Sequence, residues 1–218
     1  MIHLIIPTCD KYSVVIPKWI TFFYRHWPDD LPHRVTILGV TEGGLRIPVG
    51  LRDKPVSAFY AMKDYGWADN LLRYLFALMN ASGNEPFMMM MDDHIVFEVN
   101  AALIQTAREI IQRPDVGCVR LVPWPGPTLP YDVDGFGEID KAQEYAVSLQ
   151  ASFWKPQTFR DLLDRRWSPW EVELKGSQRA RDYDKRFIGC KTCAIDYKDY
   201  YMRGAPRAEH AAWVDERL

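Results

Sequence analysis

The chain has 218 residues, 48% of them hydrophobic and 26% charged, with a formal net charge of −2. That length suits one large domain or two small ones, since domains run about 50 to 250 residues. The composition supplies apolar surface for a packed core and excludes disordered and fibrous classes. The chain reads as a single domain over 1–218.

Residues 1–6 form a compact apolar, β-branched run stopped by Pro7, and 34–40 form a second that ends at Thr41, Glu42, Gly43 and Gly44. Both read as buried strands. Between them Val15, Ile16, Trp19, Ile20, Phe23 and Trp27 recur at three- and four-residue spacings, and Pro17 suits a first helical turn, which predicts β-α-β. From 67 to 80, Leu71, Leu72, Leu75, Phe76 and Met79 predict one helix face, closed by Ala81, Ser82, Gly83 and Asn84. An apolar run over 86–91 then stops at Asp92, Asp93 and His94, so a strand delivers two carboxylates and an imidazole at its carboxyl end, the edge where open α/β sheets bind ligands. A helix-capping role for the Asp pair would need a helix directly behind it, whereas 95–97 is again β-like. A helix over 101–112 and a strand over 117–123 follow. Residues 123–137 make a long loop rich in Pro and Gly, of a kind more often functional than structural. A strand over 145–153 and a helix over 156–166 come next, and Ser168, Pro169 and Glu171 form a capping box that opens a further helix.

No stretch reaches the roughly 18 apolar residues of a membrane span, and the first run lacks the basic start of a secretory signal, so the expected compartment is the cytoplasm with no membrane partner. Four scattered cysteines fit reduced thiols. The Cys190/Cys193 pair has no second pair to complete a zinc site and reads as two half-buried thiols on a strand approach. Charge is uneven: residues 165–207 hold 11 basic and 6 acidic side chains. This stretch is either a solvated charged face or a contact for a phosphate-bearing acceptor.

Four pieces in order carry a resemblance: IIPTCDKY (5–12), MMMMDDHIV (88–96), YAVSLQASFWK (145–155) and SPWEVEL (168–174). Together they resemble the small, family-2-like glycosyltransferases of the GT-A fold, found in polysaccharide gene clusters and in tailed phages, where some glycosylate hydroxymethylated bases of DNA. The resemblance implies an α/β fold with a Rossmann-like mixed sheet flanked by helices. Residues 1–123 would bind the nucleotide sugar and 124–218 the acceptor. It implies a metal-dependent, inverting transfer of a hexosyl or pentosyl group from a nucleotide sugar, first of all a UDP-sugar, to a hydroxyl acceptor. Of the acceptors, a hydroxymethylated base in phage DNA is preferred over a saccharide on the strength of the basic stretch. Thr8, Asp10 and Tyr12 match the positions that hold the nucleoside, and Asp92 and Asp93 match those at the diphosphate. Asp93 and His94 would hold Mn²⁺ or Mg²⁺, the mixed Asp/His set favouring Mn²⁺. Glu173 matches the general base, with Glu171 as a nearer competitor whose local duty is to cap Ser168.

Other residues keep two readings each. Trp154, Trp167 and Trp170 are a stacking platform or core, and Gln150 binds the acceptor or satisfies backbone groups. His210 is a late metal ligand or a surface-helix histidine. Two further classes remain: a nucleotidyltransferase, for which no Gly-rich, Arg/Lys-bearing phosphate loop follows the first strand, and a non-catalytic nucleotide-sugar or DNA-binding module.

Overall fold

A computed structural model describes residues 1–39, 47–60, 63, 65–202 and 205–218. Its centre is an eight-stranded mixed sheet. Parallel pairing joins β1 (Ile2–Pro7) to β2 (His33–Leu38), β2 to β3 (Val56–Phe59), and β1 on its other side to β4 (Phe87–Met89). The strand order therefore reverses between β1 and β4, the switch point at which α/β sheets open a crevice. Beyond β4 the sheet continues through β8 (Ser152–Trp154), β6 (Val116–Arg120), β9 (Arg186–Cys190) and β7 (Phe136–Glu138). The pairing of β8 with both β4 and β6 is antiparallel. Chain entering β8 consequently lies at the same sheet edge as chain leaving β1, β4 and β6. Strand β5 (His94–Val99) leaves the main sheet and pairs with β10 (Ile195–Asp199), and β11 (Tyr201–Met202) pairs with β12 (Ala205–Pro206).

Period-two alternation feeds two cores from the same strands. Leu4, Ile6, Met88 and Met90 pack with α1 (Ile16–His26), α3 (Ala101–Ile110) and Val214 of α6 (Ala208–Asp215). Ile5, Phe87 and Met89 face α2 (Trp67–Ser82), α4 (Pro156–Leu162) and α5 (Pro169–Ala180). In α1, Trp19 and Phe23 stack at 4.8 Å, and Pro17 occupies the first turn as expected.

Four expectations need correction. The second strand ends at Leu38, because Gly39 turns the chain with φ +89°; residues 41–44 lie outside the described residues. In α2 the buried face uses Tyr74 and Leu78, and Phe76 is 64% exposed. The helix expected over 156–166 stops at Leu162. Of the stretch 145–153 only its last two residues are strand, in Ser152–Trp154. Side chains take up the backbone groups that a ladder would have used: Arg120 donates to the carbonyls of Tyr145 and Ala146, Ser177 receives the N–H of Val147, and Glu173 that of Leu149.

Candidate active site

A cleft of about 910 Å³ opens at the edge where β1, β4 and the approach to β8 meet. Thr8 follows β1, and Gly39 lets it sit there: a Cβ on Gly39 would lie 2.3 Å from the Thr8 carbonyl oxygen. The Thr8 hydroxyl donates to Asp92 in a short hydrogen bond. Asp92 is 6% exposed. Burial raises its pKa to about 7, with the Thr8 bond opposing and the neighbouring Asp93 charge adding to the rise. Burial raises Asp93 to about 6.

His94 opens β5, opposite Asp199 of β10. Its Nε2 lies 3.9 Å from an Asp93 oxygen and 3.7 Å from an Asp199 oxygen, and its ring stacks on Tyr197 at 4.0 Å. Burial lowers its pKa to about 4 against the pull of Asp199, so the imidazole is neutral, and its buried Nδ1 has no partner among the described residues. An irregularity in the ladder between Asp196 and Tyr197 lets both neighbours line the cleft.

The opposite wall comes from α5 and the segment before β8. Glu173 accepts from Ser148 Oγ at 3.1 Å and from Leu149 N at 2.9 Å, both on Oε1. It is thus anchored, where the sequence suggested a carboxylate without local duties. Glu171 points away to close the capping box on Ser168 and to pair with Lys175 at 2.7 Å, contacts that hold its pKa down at about 2. Gln150 lines the cleft with a buried Oε1 that has no partner among the described residues. Arg120, 1% exposed, clamps this wall by donating to the carbonyls of Pro125, Tyr145 and Ala146.

The structure thus brings Thr8, Tyr12, Asp92, Asp93, His94, Gln150, Trp170 and Glu173 to one cleft. Asp10 is exposed and outside its lining. Trp154 is fully buried among Phe159 and Phe187, so it is core and cannot stack on an acceptor. His210, weighed as a surface histidine, lines the cleft, because α6 folds back on α1 through Lys18 with Asp215 and Phe22 with Trp213. Its Nδ1 donates to the Asp199 carbonyl at 2.8 Å, so Nε2 is the remaining ring nitrogen.

Sequence reasoning missed Asp196, Tyr197 and Asp199, which reach the cleft through the β5–β10 pairing, and Tyr201 of β11, which follows them. It also missed Trp124, although the turn-rich loop holding it was singled out. Part of the basic stretch is paired with acids: Arg166 and Arg179 with Asp164, Lys175 with Glu171, Arg186 with Asp115 and Glu138, Arg207 with Asp199. Among the described residues no three His, Cys, Asp or Glu side chains converge as a ready-made metal cage.

The fold is that of the GT-A glycosyltransferases, a mixed α/β sheet flanked by helices. The mannosyltransferase PcManGT from Pyrobaculum calidifontis, solved with GDP-Man and Mn²⁺, is similar at TM-score 0.55 and 15% identity over 97% of this chain and 59% of that one. S. aureus TarS 1–349 is similar at TM-score 0.60 and 15% identity over 90% of this chain and 59% of that one. UTP-bound UGPase from Acinetobacter baumannii is similar at TM-score 0.58 and 10% identity over 100% of this chain and 93% of that one. The chain spans about three fifths of the mannosyltransferase and of TarS 1–349. No protein-family model matches the chain, and no curated protein matches it in sequence. Among the described residues no helix is long and apolar enough to cross a membrane.

Proposed function

We propose that the protein transfers a glycosyl group from a nucleotide sugar to an acceptor hydroxyl. The observation that carries this reading is the meeting, in one cleft at the switch point, of the Asp92-Asp93-His94 turn and the anchored carboxylate of Glu173. Thr8 and Tyr12, on the loop after β1, are placed to hold the nucleoside, a UDP-sugar being the first donor to try. Asp92 is committed to Thr8 and sets that loop against the turn.

A divalent cation is the group this turn would take: Asp92 and Asp93 bring two carboxylates to the cleft, and His94 Nε2 lies 3.9 Å from an Asp93 oxygen. Asp93 and His94 would hold it, with diphosphate oxygens completing the set, and Mn²⁺ suits the mixed donors better than Mg²⁺. His210 Nε2 is a further candidate ligand. When bound, the cation neutralises the leaving diphosphate. Glu173 accepts the proton of the acceptor hydroxyl as it attacks from the face opposite the leaving group, which inverts the anomeric centre. Ser148 and Leu149 hold Oε1, and this orients the carboxylate. The donor would then contact mainly the half before residue 124 and the acceptor the half after it.

A nucleotidyltransferase is the second reading, favoured by the likeness to the UGPase over nearly the whole of both chains. The test is to incubate the purified protein with a panel of nucleotide sugars, with Mn²⁺, with Mg²⁺ and with chelator. Metal-dependent release of nucleoside diphosphate, lost in Asp93→Ala, is expected. Pyrophosphate release from a nucleoside triphosphate and a sugar phosphate would favour the second reading, and no turnover of any donor would remove the first. His94→Ala should weaken apparent metal affinity more than turnover at saturating metal.

A further inference from the structure

Of the eight tryptophans, Trp124 and Trp170 are exposed, 59% and 64% respectively, and both line the cleft. An indole left in water is unfavourable, and its face suits a flat apolar partner. Both stand on fixed backbone. Trp170 projects from the first turn of α5, fixed by the capping box of Ser168, and Trp124 adjoins Pro125, whose carbonyl Arg120 holds at 2.6 Å. Two platforms are thus presented to one cavity from separate elements.

A sugar ring and a nucleobase can both lie on an indole, and the charge of the cleft separates them. Its described lining carries five carboxylates, from Asp92, Asp93, Asp196, Asp199 and Glu173, and no lysine or arginine. A nucleic acid brings phosphates that need cations around them, and part of the basic stretch after residue 164 is paired with acids. Hydroxyl groups, by contrast, donate to carboxylates at no charge penalty, and the unpartnered Gln150 Oε1 accepts one more.

We propose that the acceptor is an uncharged carbohydrate whose apolar ring face lies on Trp124 and Trp170, with its hydroxyls directed to Gln150 and the carboxylates. This names the acceptor class for the glycosyl transfer proposed above and rests on that reading. It also replaces the phosphate-bearing acceptor suggested by the basic stretch.

The experiment reads binding without a donor. Neutral manno- and gluco-oligosaccharides and a DNA duplex carrying hydroxymethylated bases are titrated into the protein, followed by calorimetry and by tryptophan emission, at low and high salt. Donor hydrolysis by the wild-type protein is measured separately. At least one neutral oligosaccharide is expected to bind with little salt dependence. Trp124→Ala and Trp170→Ala should each weaken it about tenfold, and Phe76→Ala, at an exposed aromatic outside the cleft, should not. Binding of the duplex alone, with affinity falling steeply as salt rises, would overturn the proposal. So would saccharide binding indifferent to both tryptophans, or no saccharide binding by a protein that hydrolyses a nucleotide sugar. Tryptophan-dependent saccharide binding by a protein that turns over no donor would keep the site and remove the transferase reading instead.

Discussion

At the scale of single residues, two glutamates two positions apart divide into separate duties. Glu171 is held by Ser168 and Lys175, and Glu173 turns to the cleft with Oε1 anchored. Gln at 173 keeps an oxygen to accept from Ser148 and Leu149 but cannot take a proton. Turnover of Glu173→Gln should fall at least about 100-fold with folding and donor affinity nearly unchanged. Glu171→Gln should lower the thermal midpoint only slightly, since Gln can still close the capping box, and keep most activity. Turnover and thermal midpoint measured on both variants together check this, and the reverse pattern would exchange the two roles. The capping box was legible because it is a local motif with fixed spacing. Trp154 kept two readings because nothing in its neighbours says which face of a strand meets the core, and burial decides for the core.

At the scale of elements, the loop after β1 is set by β2 more than by its own sequence. Gly39 turns at φ +89° against the Thr8 carbonyl, and Thr8 in turn meets Asp92. Gly39→Ala is expected to destabilise the fold by on the order of 1 to 3 kcal/mol, since it combines a strained φ with a backbone clash. It should also weaken donor binding, because the loop must shift. Denaturant unfolding and donor titration check the two effects, and a variant normal in both would show that Thr8 has room to move. The segment before β8 shows the limit of pattern reading. Its apolar residues are buried as a strand's would be, yet Arg120, Glu173 and Ser177 take its backbone groups in place of a ladder.

At the scale of the whole molecule, a buried polar cluster beneath the sheet couples stability to pH. Arg34 can only donate, so His3 Nδ1 accepts from it at 3.1 Å and the ring is neutral, with Nε2 between Thr36 and Tyr74. Burial first, then Arg34, lowers the His3 pKa from 6.5 to about 4. The unfolded chain therefore binds a proton that the native one refuses, so this contribution to stability is complete above about 6.5 and is lost as pH falls towards about 4. His33 and His94 shift in the same direction, which makes the difference between wild type and His3→Gln the informative quantity. The variant should lose less stability over that window, as read from denaturant midpoints across pH, and parallel curves would leave His3 without a role in the slope. By itself the sequence determined the alternating elements of the first half, the strand that leads into Asp92 and Asp93, and the helix opened at Ser168, because hydrophobic period and capping chemistry act over a few neighbouring residues. Only the tertiary structure decided that Tyr197, Asp199, Tyr201 and His210 face that turn, that Trp124 rather than Trp154 reaches the cleft, and that Arg186 pairs with Glu138. The first of these depends on strand pairing and helix docking between residues about a hundred or more apart, where loop closure and packing of the whole chain, not local preference, set the partner.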